Sequence, residues 1–198
     1  MILPRALLFP HALLPLHIFE PRYRAMLTHV LTGERMFCIA LKKPDVDDTG
    51  QADGFFQVGG IGLVRACVGN PDGTSNLILQ GLARVRFVDY VQDKPFRIAR
   101  LRPLPTVEEG EPRTVEIEAL GAKVIELCKE FKERGIELPA PLEAHLLQLA
   151  NVDFLADLVA AQPFFVSDPY ARQQLLETPG LPTRLRLLIQ YLHAELKL

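Results

Sequence analysis

The sequence predicts an α+β protein with segregated layers: a mostly antiparallel β half carrying one helix over residues 1–110, then an α-helical bundle over 111–198. Three observations predict it. Short apolar runs broken by turn signals fill the chain up to Pro105. A strong turn, Asn70-Pro71-Asp72-Gly73-Thr74, lies between two of those runs. Beyond Pro112 the apolar period changes from two residues to three or four.

The N-terminal residues Met1 to Phe9 are apolar, but Pro4, Pro10 and Pro15 oppose a helix and no small-residue cleavage site follows. Phe19, Tyr23, Met26, Leu27 and Val30 share one helical face, so a helix is expected over 20–33, with Pro21 in its first turn and Gly33 past its end. Met36 to Leu41 reads as a buried strand and Asp45 to Gly54 as a surface loop. Phe56 to Val68 is strand-like with Gly59, Gly60 and Gly62 inside it, which implies a bulge or the close approach of another backbone. Asp72-Gly73 then turns the chain into a second arm, Leu77 to Val88, in which Val85 and Phe87 alternate with Arg84 and Arg86. A further strand, Phe96 to Leu101, is stopped by Pro103 and Pro105.

In the second half, Ile117, Leu120, Val124, Leu127 and Phe131 mark a long amphipathic helix over 113–134 closed by Gly135. Leu142 to Leu149 and Asp153 to Ala161 follow as two more. Ser167-Asp168-Pro169 reads as a cap for a helix over 169–177, and Leu181, Leu185, Leu188, Leu192 and Leu196 stripe the last one.

With 198 residues, 48% of them hydrophobic, the chain can bury one sizeable core or two small ones, and its net charge of -2 gives no general pull toward nucleic acid or anionic lipid. No apolar run approaches the roughly 18 residues of a membrane span. The three cysteines, Cys38, Cys67 and Cys128, lack C-x-x-C spacing and read as reduced thiols of a cytoplasmic protein.

Catalytic signatures are missing. The sequence has no phosphate loop, no dinucleotide-binding glycine turn and no zinc helix of the H-E-x-x-H type. Its two serines, Ser75 and Ser167, lie outside any nucleophile elbow and read as a turn residue and a helix cap. Among the five histidines only His11 and His17 are close in sequence, with no Cys or Asp beside them, so no metal and no cofactor is expected. Arg84, Arg86, Arg97, Arg100 and Arg102 gather on consecutive strands, where they either bind phosphates or carboxylates or simply guard a solvated strand. Of these, Arg84, Arg86, Arg100 and Arg102 are candidate binding residues, as are Phe164 and Phe165, which either seal the helical core or leave one ring exposed. Asp72 and Gly73 are assigned to the turn itself.

Several segments together resemble one family. Phe9-Pro10-His11 and Leu14-Pro15-Leu16-His17-Ile18-Phe19-Glu20-Pro21-Arg22-Tyr23-Arg24-Ala25-Met26 resemble the opening of the N-terminal domain of the ATP-dependent protease Lon, especially its free-standing bacterial forms. Phe56 to Gly62, Pro71 to Thr74 with Gly81 to Arg86, Leu155 to Ala161 and Gln174 to Glu177 resemble its later segments, in order and nearly end to end. His11 departs from the pattern, standing where free-standing relatives usually carry glycine. The resemblance implies a PUA-like pseudo-barrel followed by a helical bundle, and a non-catalytic module that binds protein or peptide segments. It implies no ATPase or peptidase residues, since Lon continues past the position of Leu198. Unfolded client segments are the expected partners. RNA held by the Arg84–Arg102 face is the alternative, since PUA-like barrels include RNA binders.

Overall fold

The computed structural model describes residues 1–44, 54–91, 95–107, 114–138, 140, 142–143 and 151–197. The chain divides into two compact units, Met1–Leu104 and Pro105–Leu198.

The first unit contains β1 (Ile2–Leu3), β2 (Leu13–Ile18), α1 (Pro21–Leu31), β3 (Met36–Leu41), β4 (Val58–Gly69), β5 (Ser75–Val91) and β6 (Ile98–Pro103). The strands form one six-stranded sheet in the order β1-β3-β4-β5-β2, with β6 also on β5. Every strand pair is antiparallel except β1 with β3. The 17-residue β5 explains the layout. Along one edge it carries β4, and along the other it carries β2 and then β6 in succession. The sheet is therefore open rather than the barrel expected from the sequence, because β1 and β2 end the pairing path without meeting.

No strand is expected from the sequence over Leu13–Ile18, where β2 lies. Pro15 is tolerated since β2 pairs only with β5, and an edge strand can spare one N–H. Its alternation is clean: Leu14, Leu16 and Ile18 turn toward the core, while Leu13, Pro15 and His17 are exposed. α1 lays Tyr23, Met26 and Leu27 against Ile18, Phe37, Ile39, Val64, Leu77 and Leu79. It ends at Thr32, and the left-handed residue beyond it is Arg35 (φ 58°) rather than Gly33.

The strand glycines have two causes. A register shift falls between Ile61 and Gly62, and the segment from Leu8 to Ala12 crosses the sheet over Gly60, Gly62 and Gly81, while Gly59 faces Ile39 and Phe87. His11 N–H donates to Gly81 O (2.9 Å) and Gly81 N–H to Ala12 O (2.8 Å), so the strap and β5 are laced by two backbone hydrogen bonds. His11 turns the strap at φ 65°. A left-handed residue with a Cβ costs roughly 1–2 kcal/mol, and glycine's extra unfolded-state freedom returns part of it. Replacing His11 with Gly is accordingly expected to stabilise the first unit by about 0.5–1 kcal/mol, read as a higher midpoint in denaturant at unchanged slope. A loss of stability would show that the His11 side chain, not its backbone angle, fixes the strap.

The second unit is helical among the described residues: α2 (Thr114–Glu133), α3 (Val152–Ala160), α4 (Pro169–Glu177) and α5 (Leu181–Glu195). Of the helix expected over Leu142–Leu149, only Leu142 and Glu143 lie within the described residues; both are helical and Leu142 is buried. Gly135 (φ 91°) follows α2 in the left-handed conformation that closes a helix. α2 packs against α3 and α5, burying Val124, Leu127, Cys128 and Phe131 together with Leu155, Val159, Leu185, Leu188 and Leu192. Asn151 Oδ1 caps α3 by accepting from Phe154 N–H (3.0 Å). Asp168, not Ser167, caps α4, its Oδ1 accepting from Tyr170 N–H (2.9 Å). The Ser167 hydroxyl and N–H instead both donate to Glu195 Oε1 (2.7 Å each), because the carboxylate of α5 outcompetes a neutral hydroxyl role at the helix end.

Charged side chains lie in the core of this unit, among them Asp157, Arg172 and Arg184. Arg184 of α5 is fully buried. It pairs with Asp153 and with Asp157 (3.6 Å) on α3, and donates to Thr178 O (3.0 Å) and Pro179 O (3.4 Å). Thr106 Oγ1 donates to the second oxygen of Asp153 (3.0 Å), and Val107 bridges Gly180 beside it.

Candidate functional site

The outer face of the sheet near the hairpin is apolar and exposed. In antiparallel pairing, residues directly opposite share a face. Pro15, Ile78 and Ala66 form one cross-strand row over β2, β5 and β4, and His17, Asn76 and Val68 form the next. A groove of about 470 Å³ runs among these residues. Val68 is 65% exposed and Leu13, at the far end of β2, 59%. Phe19, also 59% exposed, stacks on His17 at 6.0 Å, and His17 Nδ1 is hydrogen-bonded to Asn76 Oδ1 (2.8 Å). Isolated exposed apolar side chains are ordinary; here Pro15, Ile78 and Ala66 stand in one row across three strands.

The face exists because of a bulge. The register shifts between Val64 and Ala66, so Val64 stays in the core opposite Leu79 while Val68, four residues on, sits in the outer row opposite exposed Asn76. The hairpin tip is closed by its own hydrogen bonds. Asn70 N–H donates to Thr74 O (2.8 Å), Gly73 N–H to Asn70 O (3.0 Å), and the Thr74 N–H and hydroxyl both donate to Asp72 Oδ1 (2.9 and 2.7 Å). Those two donations from Thr74 hold the Asp72 carboxyl below its usual range. Gly73 adopts φ 79°.

The arginines do not act as one set. Arg84 is buried, lying directly across from Gly60 on the face that the Leu8–Ala12 strap covers. Arg100 is ion-paired with Asp89 (3.0 Å). Arg86 and Arg102 are exposed and stand directly opposite one another on β5 and β6. Phe165 is fully buried with its ring edge-on to Phe131 (5.0 Å), while Phe164 is half-buried against it (4.7 Å). Phe165 is thus core, and Phe164 retains only a partly open ring.

Burial pushes the Cys38 thiol up to about 11 and the Cys128 thiol up to about 12, so these two stay protonated at neutral pH. Among the described residues no three His, Cys, Asp or Glu side chains are grouped to hold a metal, and no helix is long and apolar enough to cross a membrane. The sequence signal for the outer face is the alternation of Leu13, Pro15 and His17 with Leu14, Leu16 and Ile18.

The comparisons agree with this architecture. Residues 1–194 match the family model of the ATP-dependent protease La (LON) substrate-binding domain. The Lon protease of Dictyoglomus thermophilum is 25% identical over 100% of this chain and 24% of its own length. Lon protease 2 of Myxococcus xanthus is 29% identical over 98% of the chain and 23% of its own length. The chain thus spans about a quarter of these curated relatives. Among solved structures, the N-terminal domain of Mycobacterium avium complex Lon protease superposes with a TM-score of 0.73 at 18% identity, covering 98% of this chain and 96% of that one. A Lon N-terminal domain protein from Xanthomonas campestris gives 0.63 at 19% identity, covering 96% of each. Those structures share the fold, and the model match over nearly the whole sequence shows that the chain belongs to the LON substrate-binding domain family.

Proposed function

We propose that this chain is a non-catalytic, cytoplasmic recognition module of PUA-like architecture that binds apolar, unfolded segments of client proteins on the outer face of β2, β5 and β4. The observation that carries this reading is the apolar row Pro15–Ile78–Ala66 with exposed Leu13, Phe19 and Val68 around it. A segment laid there exchanges apolar surface with that row at roughly 25 cal/mol per Å² buried, without needing a particular sequence. The neighbouring Asn76 and His17 supply polar rim groups. The family match supports a substrate-binding role, and the protease activity named in the relatives belongs to chains about four times longer.

Binding of a fluorescein-labelled, permanently unfolded protein, followed by anisotropy, tests this reading. Val68→Asp and Leu13→Asp each place a charge where the client must shed water, and each is expected to weaken binding about tenfold. Both side chains are exposed, so the melting temperature should move by no more than a degree or two. Unchanged affinity in both variants sinks the assignment. RNA binding is the second reading, favoured by one observation: Arg86 directly opposite Arg102, a like-charge pair that costs stability unless an anion joins it. In that case affinity falls steeply with added salt, and Arg86→Ala flattens the slope.

A further inference from the structure

We propose that the clients of the outer face carry an acidic side chain beside their apolar residues, and that Arg24 receives it in a second cleft at the hairpin end of the sheet. This inference rests on the outer face being the client surface. The cleft has a volume of about 390 Å³ and lies between α1 and the turn that joins β4 to β5. Leu27 and Leu31 give it an apolar side, and Arg24, Thr28, Gly73 and Ser75 a polar one. It adjoins the outer groove along two stretches of chain. On β5, Ser75 lines the cleft and the next residue, Asn76, lines the groove. Between β2 and α1, His17 lines the groove and Pro21 the cleft, with exposed Phe19 between them in the chain. An extended segment advances about 3.3 Å per residue, so one laid on the groove reaches the cleft within a few residues.

Charge selects the residue that enters. Among the described residues Arg24 is the one charged side chain lining the cleft. Its guanidinium is seated over Gly73, in the space that a side chain at that position would fill. Gly73 thus serves twice, taking up φ 79° in the turn and leaving room for the cation. The guanidinium has no ion pair and no hydrogen bond among the described residues. The carboxylates next to the cleft in sequence are engaged with other groups: Asp72 Oδ1 accepts from the Thr74 N–H and hydroxyl (2.9 and 2.7 Å), and Glu20 pairs with Arg22 (2.8 Å). The Thr28 hydroxyl donates to Arg24 O (3.1 Å), whereas the Ser75 hydroxyl has no partner among the described residues and is left to donate. A carboxylate accepts from both a guanidinium and a hydroxyl, a carboxamide does so without the charge, and an ammonium is repelled.

Anisotropy titration of the whole chain with two fluorescein-labelled peptides tests the site. One has a Leu-Ser-Leu-Ser-Leu core flanked on each side by Asp-Ser-Asp; the other has Asn in place of every Asp. The symmetric flanks offer an acid in both chain directions and at more than one spacing. The Asp peptide is expected to bind about fivefold more tightly, the upper range for a solvent-exposed ion pair. Arg24→Gln should bring the two peptides to equal affinity, and since Arg24 is exposed its melting temperature should stay within about a degree or two. Val68→Asp, which charges the apolar row, should weaken the Asn peptide. Unchanged binding of the Asn peptide by Val68→Asp removes the outer-face reading itself, and this proposal with it. If Val68→Asp does weaken the Asn peptide, the outer face stands, and the acidic-client proposal is decided separately. It is overturned by equal binding of the two peptides to the unaltered chain, by a preference for the Asp peptide that survives Arg24→Gln, or by the absence of saturable binding of both.

Discussion

Replacing Arg184 with alanine is expected to cost the second unit about 3–5 kcal/mol, the range for breaking a buried ion pair by removing one partner. Three losses combine. Asp157, 2% exposed, is left as a charge in the core without the guanidinium beside it. The Thr178 and Pro179 carbonyls lose their donor. The fully buried arginine stem leaves a void between α3 and α5. Asp153 contributes less to the penalty, because it reaches solvent and keeps the Thr106 hydroxyl. For a unit of this size each kcal/mol lowers the melting temperature by roughly 4–8 °C, so a drop of well over ten degrees should appear in thermal unfolding followed by circular dichroism. Combining Arg184→Leu with Asp157→Leu should lose less than Arg184→Ala alone, since the carboxylate then left without Arg184, Asp153, reaches solvent. A change of only a degree or two in Arg184→Ala would mean that water reaches the pair and that its burial carries no penalty.

What could be read from the sequence divides by range. The apolar period of α2, its closing Gly135, the strand Met36–Leu41 and the Asp72-Gly73 turn are local patterns, and each appears within a few residues of its expected bounds. Residues distant in sequence decided the rest. Arg184 reads as one more polar position beside a leucine stripe, since its partners lie 31 and 27 positions upstream. Arg84 and Arg86 alternate identically with Val85 and Phe87, yet only Arg84 lies across from Gly60 under the strap, so one is buried and the other is not. Val64 and Val68 share a parity but not an environment, because the bulge between them is set by pairing with β5. Local alternation says which residues share a face, while a bulge or a crossing segment says which faces meet water. The candidate contact surface depends on the bulge, which is why it was less legible than the fold.

The crossing segment also gives the second large effect. Gly81→Ala is expected to destabilise the first unit by about 3 kcal/mol, although alanine is the smallest possible change and this glycine needs no positive φ. A Cβ at Gly81 projects into the carbonyl oxygen of Phe9, well inside van der Waals contact, and the next nearest atoms belong to Phe9 and Leu8. Backbone, unlike the end of a flexible side chain, does not step aside. Relieving the overlap means lifting the strap, and the strap carries the two hydrogen bonds at His11 N–H and Gly81 N–H together with Leu8 and Phe9, both fully buried. Gly60→Ala meets the Leu8 carbonyl in the same way and should behave alike. Gly69 offers the control on the same sheet: a Cβ there has open space, so Gly69→Ala should leave the melting temperature within about a degree or two. Thermal and denaturant unfolding of the three variants separates the alternatives. Comparable behaviour of Gly81→Ala and Gly69→Ala would show that the strap does not press on the sheet in solution. A loss confined to Gly81 and Gly60 identifies the absence of two side chains as the condition that lets Leu8 and Phe9 close the core.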